Sequence, residues 1–209
     1  MVISMKINRP KIKYIEETKL VSSIYESLTN ALVEDMEDKV VLEKLNIDTV
    51  EFRKVIMNNV EFLSTNFMDV IFSSCDISNK KLESMNFTRV EFSDCKLLGC
   101  SFNLSVLQDV KFENCIIKYA NLSEIKAKRV IFKKCDLSEV TFINSELVNV
   151  EFIDCKLNEA VISSTSLNEI DLSTCSIEGV MVDFNSLKGC IINENQAVQL
   201  VNLLGVKVK

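Results

Sequence analysis

The chain has 209 residues, a net charge of -6, 47% hydrophobic residues, one Pro, four Gly, and neither His nor Trp. Such a composition excludes a disordered or collagen-like chain and supplies apolar residues for a large core. The acidic balance argues against direct nucleic-acid binding, no apolar run approaches the ~20 residues of a membrane span, and MVISMKINRPKIKY lacks the apolar centre of a secretory signal, so a cytoplasmic protein is expected.

In chain order, RPKIKY (9–14) reads as an extended arm. Leu20, Ile24, Leu28, Ala31, Leu32 and Met36 then recur at helical spacing between Glu16 and Asp38. That stripe predicts an amphipathic helix covering the first coil, with the acidic run EDMED (34–38) on a solvated face. Residues 1–39 are therefore expected to form an arm and a helical cap.

From Leu42 to Ile192 every fifth residue is apolar, and only Ala127 is small. Eleven of the twelve Phe lie on this series. Two residues before each central position the side chain is usually Val, Cys, Ser, Thr or Ala, and all eight Cys occupy that place. On an extended backbone, residues two apart share a face. Each five-residue unit therefore reads in, out, in, out, out. A helix of 3.6 residues per turn would scatter such a series around its axis.

A period of 20 residues sits on top of the first. It relates Phe52, Phe72, Phe92, Phe112, Phe132 and Phe152, and likewise Cys75, Cys95, Cys115, Cys135, Cys155 and Cys175. VEFSDCKL (90–97) returns as VEFIDCKL (150–157) for the same reason. Four short sides close one coil, and like side chains stack in a lumen with coils about 4.8 Å apart. Residues 40–193 are expected to be an all-β solenoid. The Cys residues have no CxxC spacing and no His to complete a zinc site, so periodicity explains them without a metal or a disulfide framework. Two positions strain the scheme. Ala127 is small, but Ile125 beside it is large where a small residue is normal. Lys80 falls at an inward site, so it is predicted to lean outward or to deform the coil around 79–81.

At the end of the chain, Ala197, Leu200, Val201 and Leu204 have helical spacing, with Asn193 or Asn195 as a cap and Gly205 as a stop. Residues 194–209 are read as a closing helix and tail. Phe184 is the single Phe out of phase and should point outward near Met181 and Val161. An exposed apolar patch of this kind marks an interface. The candidate pairing surface is Val161, Met181, Phe184, Leu200, Val201 and Leu204.

ANLSE (120–124), CDLSE (135–139) and CKLNE (155–159) resemble the A(D/N)LXX unit of the pentapeptide-repeat proteins. The resemblance implies a right-handed quadrilateral β-helix. The closing helix and tail are similar to those of the quinolone-resistance (Qnr-type) subgroup. That likeness implies a homodimer formed through the C-terminal module. It also implies paired rods that mimic B-form DNA and bind DNA gyrase or topoisomerase IV. Some members carry loops that interrupt the coil, and no such loop fits between 42 and 192. The alternative is a structural scaffold or interaction module with an unknown partner.

The outward charges are mixed. Glu91, Asp94, Glu151, Asp154 and Asp171 form a candidate acidic partner surface. Lys111, Lys133 and Lys134 interrupt it, and with Lys126, Lys128 and Arg129 they make a basic belt near mid-rod. DNA carries one charge per ~1.7 Å of axis, a uniformity this surface matches only in patches. With no His, no glycine-rich phosphate loop and no metal-ligand spacing, the chain is expected to be non-enzymatic and to use no cofactor.

Overall fold

The computed structural model describes residues 5–13, 15–21, 27–36, 39–202 and 206. The strands are β1 (Glu16–Leu20), β2 (Ser27–Met36), β3 (Val40–Glu43), β4 (Asn46–Arg53), β5 (Val60–Leu63), β6 (Asn66–Ser73) and β7 (Asn86–Ser93). They continue as β8 (Val106–Glu113), β9 (Lys126–Lys133), β10 (Thr141–Ile143), β11 (Glu146–Ile153), β12 (Val161–Ser163) and β13 (Met181–Val182), and α1 (Glu194–Asn202) follows. The chain winds as a β-solenoid. Its longest wall is an eight-stranded parallel sheet in the order β1-β2-β4-β6-β7-β8-β9-β11. Smaller sheets, β10-β12-β13 and β3-β5, lie on other sides.

The 20-residue register is set by the lumen. Val50, Val70, Val90, Val110, Val130 and Val150 are successive partners across β4, β6, β7, β8, β9 and β11. The Phe of the same strands stack with ring centroids 4.7–5.1 Å apart and planes within 8°. A one-residue slip would turn every Phe to solvent, so the register is strongly specified. Ile125 and Ala127 are both buried.

The chain turns at a residue with positive φ that recurs every fifth position, for example Asp69, Ser74, Asn79, Ser84 and Arg89. This left-handed conformation costs a non-glycine residue about 1–2 kcal/mol. The inter-coil backbone bonds around each corner offset that cost, as where the amides of Ser74 and Asn79 donate to Ser93 and Leu98. Gly99 takes such a corner at φ 64°, where a Cβ would also lie 2.7 Å from Asn79 Oδ1.

The small inward site has its own chemistry. Each thiol of Cys75, Cys95, Cys115, Cys135, Cys155 and Cys175 donates to the carbonyl of a Phe 23 residues earlier, at 3.3–3.5 Å. The hydroxyls of Thr65, Ser105, Ser145 and Thr165 likewise donate to the carbonyls 23 residues earlier, those of Leu42, Leu82, Leu122 and Phe142, at 2.7–3.1 Å. Corner carbonyls inside the wall are thereby satisfied.

The N-terminal segment departs from the helix expected between Glu16 and Asp38. Its described residues form β1 and β2, which extend the main sheet. Leu28, Ala31 and Val33 pair with Ile47, Val50 and Phe52, and Asn30 bends at φ 52° as Thr49 does at φ 58°. Leu20, Leu28 and Ala31 are buried, as the apolar stripe requires, but in a coil. The open edge of β4 offers a full ladder of backbone partners, and a helix lying there would leave those groups unpaired. Ile24 lies outside the described residues.

At Lys80 the side chain leaves the lumen. Its ammonium donates to the carbonyls of Asn58 (2.7 Å) and Val60 (3.0 Å). Among the described residues, no backbone hydrogen bond joins 59–64 to the coil above it at 78–84, although both neighbouring coils are bonded normally. Asn59 also lacks the positive φ of the neighbouring corners Lys54, Ser64 and Asn79. The wall is therefore parted at this place, leaving a cleft of about 460 Å³ lined by Val60, Phe62, Leu63, Asn79, Lys80 and Lys81.

The far end of the lumen is sealed by α1. Asn193 is the N-cap: its Oδ1 accepts from the Gln196 amide at 3.0 Å while Gln196 Oε1 accepts from the Asn193 amide at 2.8 Å, a capping box. The buried Gln196 Nε2 donates to the carbonyls of Leu172 and Cys175 at 2.7 and 2.8 Å. One side chain thus caps both the helix and the last coil.

Candidate interaction surfaces

The main sheet presents a column of outward residues: Glu51, Ile71, Glu91, Lys111, Ile131 and Glu151 are successive partners. Beside it runs the corner column Asp69, Arg89, Asp109 and Arg129. Arg89 grips the Asp69 carboxylate through two bonds of 2.7 and 2.6 Å, and Arg129 grips Asp109 in the same way. These forks hold Asp109 near a pKa of about 2, chiefly through Arg129. Burial opposes ionisation of Asp69, but Arg89 and the Lys11 amide hold it below the usual range.

The N-terminal arm lies across this face. The Met5 amide donates to Glu151 Oε1 at 2.7 Å. The Asn8 amide and side chain donate to Asp109 at 3.1 and 3.2 Å. Arg9 forms a fork on Glu91 at 2.7 and 2.9 Å, and the Lys11 amide donates to Asp69 at 2.9 Å. A crevice of about 390 Å³ remains beside the arm, lined by Ile7, Arg9, Lys111, Ile131 and Ile153 among others.

The five acidic residues of the candidate partner surface therefore divide. Glu91 is buried beneath Arg9, and Glu151 is half-buried beneath Met5. Asp94, Asp154 and Asp171 are exposed. The basic belt is partly neutralised, since Lys111 and Lys133 both pair with Glu113 and Arg129 with Asp109. The two lysines bring Glu113 down to a pKa of about 2. Sequence reasoning missed Asp69 and Asp109. Their signal was the alternation Asp69, Arg89, Asp109, Arg129 at the 20-residue period.

At the other end, Phe184 is 65% exposed, with the Lys188 ammonium 5.7 Å from its ring centroid. Phe184, Leu200 and Val201 come together with Val182, Leu187 and Ile192 around a largely apolar groove of about 470 Å³. Val161 and Met181 pair on β12 and β13, and Met181 is exposed. Leu204 lies outside the described residues. The twelve lumen residues of the Phe and Cys columns are all buried. Among the described residues there is no cluster of metal-ligating side chains, and no helix is long and apolar enough to cross a membrane.

No curated protein matches the chain. Among solved structures, full-length QnrB1, a plasmid-mediated fluoroquinolone resistance protein, aligns over 91% of this chain and 100% of its own, at 17% identity and a TM-score of 0.50. HetL from the cyanobacterium Nostoc sp. strain PCC 7120, a pentapeptide repeat protein involved in heterocyst differentiation regulation, aligns over 89% and 92%, at 13% identity and a TM-score of 0.36. At such identities the likeness to QnrB1 is one of fold. The description "Pentapeptide repeat region" matches residues 65–132 and 125–200, most of the chain and nearly all of its regular coils. With a five-residue corner, a 20-residue register and that match, the chain belongs to the pentapeptide-repeat family.

Proposed function

We propose that the chain is a non-enzymatic binding rod, a right-handed four-sided β-helix that pairs through its C-terminal end and engages a type II topoisomerase. The observation that carries the pairing is the apolar groove between α1 and the exposed Phe184. Two copies related by a two-fold axis can bury the same patch on each other. The topoisomerase reading is supported by the fold shared with QnrB1 and by the fluoroquinolone resistance in that protein's description. The partner is a protein, and neither nucleic acid nor a membrane is contacted directly.

A second reading is favoured by one observation. The Arg89–Asp69 and Arg129–Asp109 forks neutralise the long face internally, which leaves little of the continuous negative charge a DNA mimic needs. On that reading the rod is a scaffold for another partner. Supercoiling by purified gyrase, with and without ciprofloxacin, separates the two as the protein is titrated in. Inhibition or protection at micromolar concentration is the expected outcome, and no effect with no binding removes the topoisomerase reading. For the pairing, Phe184→Asp should leave the circular dichroism unchanged and raise the dimer dissociation constant at least tenfold by sedimentation. An unchanged sedimentation coefficient counts against the groove as the interface.

A further inference from the structure

We infer that the acidic columns of the main sheet are a track for an extended peptide read through its backbone, and that the N-terminal arm is the built-in occupant which partners must displace. This does not rest on the topoisomerase reading or on pairing at the other end.

The argument begins with spacing. The amides of Met5, Asn8 and Lys11 donate to Glu151, Asp109 and Asp69. The donors are three residues apart. The acceptors lie on β11, β8 and β6, two strands apart each time in the sheet order. Two inter-strand steps measure about 9.6 Å. Three residues of a polyproline-type helix rise about 9.3 Å and bring every third amide to one side. A β-strand alternates faces every residue and would turn the middle amide away. The track therefore matches an extended segment with three-fold periodicity. Pro10 falls between the donating positions, so its missing N–H costs no contact.

The second layer is charge. Between the last two backbone contacts, Arg9 forks onto the buried Glu91 on β7. Arg is the side chain that matches a carboxylate with two parallel bonds. Asp69 and Asp109 are held in place by Arg89 and Arg129, so they are fixed acceptors before any peptide arrives. Glu151 Oε2 is buried and has no hydrogen-bond partner among the described residues, so one acceptor on the track is left unfilled by the arm. Ile131 and Ile153 line the crevice beside the arm, where an apolar side chain next to the basic one can enter. The partner this fits is a protein segment in extended, proline-tolerant conformation, with one Arg and flanking apolar residues. It competes with the arm for the same carboxylates.

The test uses the full chain and a labelled peptide of residues 1–14 in trans, read by fluorescence anisotropy. In the wild type the arm fills the track, so the peptide should bind weakly. In the double variant Asn8→Pro, Arg9→Glu the chain's own arm loses a main-chain donor and faces Glu91 with like charge. Hydrogen exchange should show residues 5–13 released, and the wild-type peptide should bind at least tenfold tighter than it binds the wild-type chain. A peptide N-methylated at the Asn8 amide, which keeps the side chain and loses only the main-chain donor, should bind this variant at least threefold more weakly than the unmodified peptide. Equal affinity of the released chain and the wild type overturns the proposal. So does an arm that stays protected in the double variant, because the carboxylates would then not be what holds it. Equal binding of the N-methylated peptide overturns the backbone reading.

Discussion

Cys115 occupies a place where five-residue arithmetic asks only for a small inward side chain. What the period does not reveal is that the place also needs a donor. The Cys115 thiol reaches the carbonyl of Phe92 at 3.4 Å, as the Ser105 hydroxyl reaches Leu82 at 2.7 Å. The inward direction was legible because a two-residue alternation fixes the face. The bond was not, because its acceptor is 23 residues away and on the coil beneath. Cys115→Ser keeps the donor and should change stability by about 1 kcal/mol or less. Cys115→Leu overfills the site and should cost about 1–3 kcal/mol. The urea midpoint of the two variants separates the claims, and equal midpoints would mean that neither volume nor donor matters there.

Among the elements, the two that depart from the repeat teach most. The N-terminal stripe of Leu20, Leu28, Ala31 and Met36 has helical intervals, yet its residues join the sheet. The step of three from Leu28 to Ala31 is that of Ile47 to Val50, with which they pair, and it belongs to the five-residue unit as well as to a helix. Ser27 pairs with Asn46 at an offset of 19 and Glu16 with Ala31 at 15, so the first coils also break the 20-residue count. A single chain cannot announce that its irregular end will be templated by an edge 19 residues later. Lys80 was legible as a misfit, and its outward course follows from the cost of burying an ammonium. The parted wall beside it, from 59 to 64, was not legible, since it concerns backbone groups rather than side chains. Lys80→Cys should place in that coil the side chain found at the same site in Cys100 above it. The ladder between 60–64 and 80–84 should then close. A gain of about 1–2 kcal/mol corresponds to a rise in Tm of roughly 2–8 °C for a chain of this size. A lower Tm in a scan followed by circular dichroism would show that the parted wall is the more stable arrangement.

For the whole molecule, the family resemblance and the solenoid were legible almost from Leu42 to Ile192, because one repeated instruction specifies every coil. The candidate surfaces were less so. Glu91 and Glu151 were recognisable as outward carboxylates, but nothing local to them shows that residues from the other end of the chain lie on top. This arrangement gives the fold an acid limit. Asp109 and Glu113 have folded pKa values of about 2, held down by Arg129 and by Lys111 with Lys133. Their unfolded values are about 3.9 and 4.3. Groups depressed on folding stabilise the native state above the unfolded pKa and lose that contribution as pH falls through the folded one. Stability should therefore be level above about pH 5 and decline between about pH 4 and 2. Asp109→Asn should flatten part of that decline when urea midpoints are compared across the same interval. An unaltered slope would place the acid sensitivity elsewhere.

The register has a further consequence for how such a rod can change length. Strand follows strand at 20 residues, so insertions and deletions are quantised. Losing five residues would rotate every later face by one side, while losing 20 would keep all faces in phase. The arm makes the rule stricter, because three of its residues are commensurate with two strands of the wall. Removing a single coil between β6 and β11 would leave the arm out of step by half its period, with an amide facing solvent where a carboxylate had been. Only the loss of two coils together with three arm residues preserves both rhythms, so arm and rod can lengthen or shorten only as a matched pair.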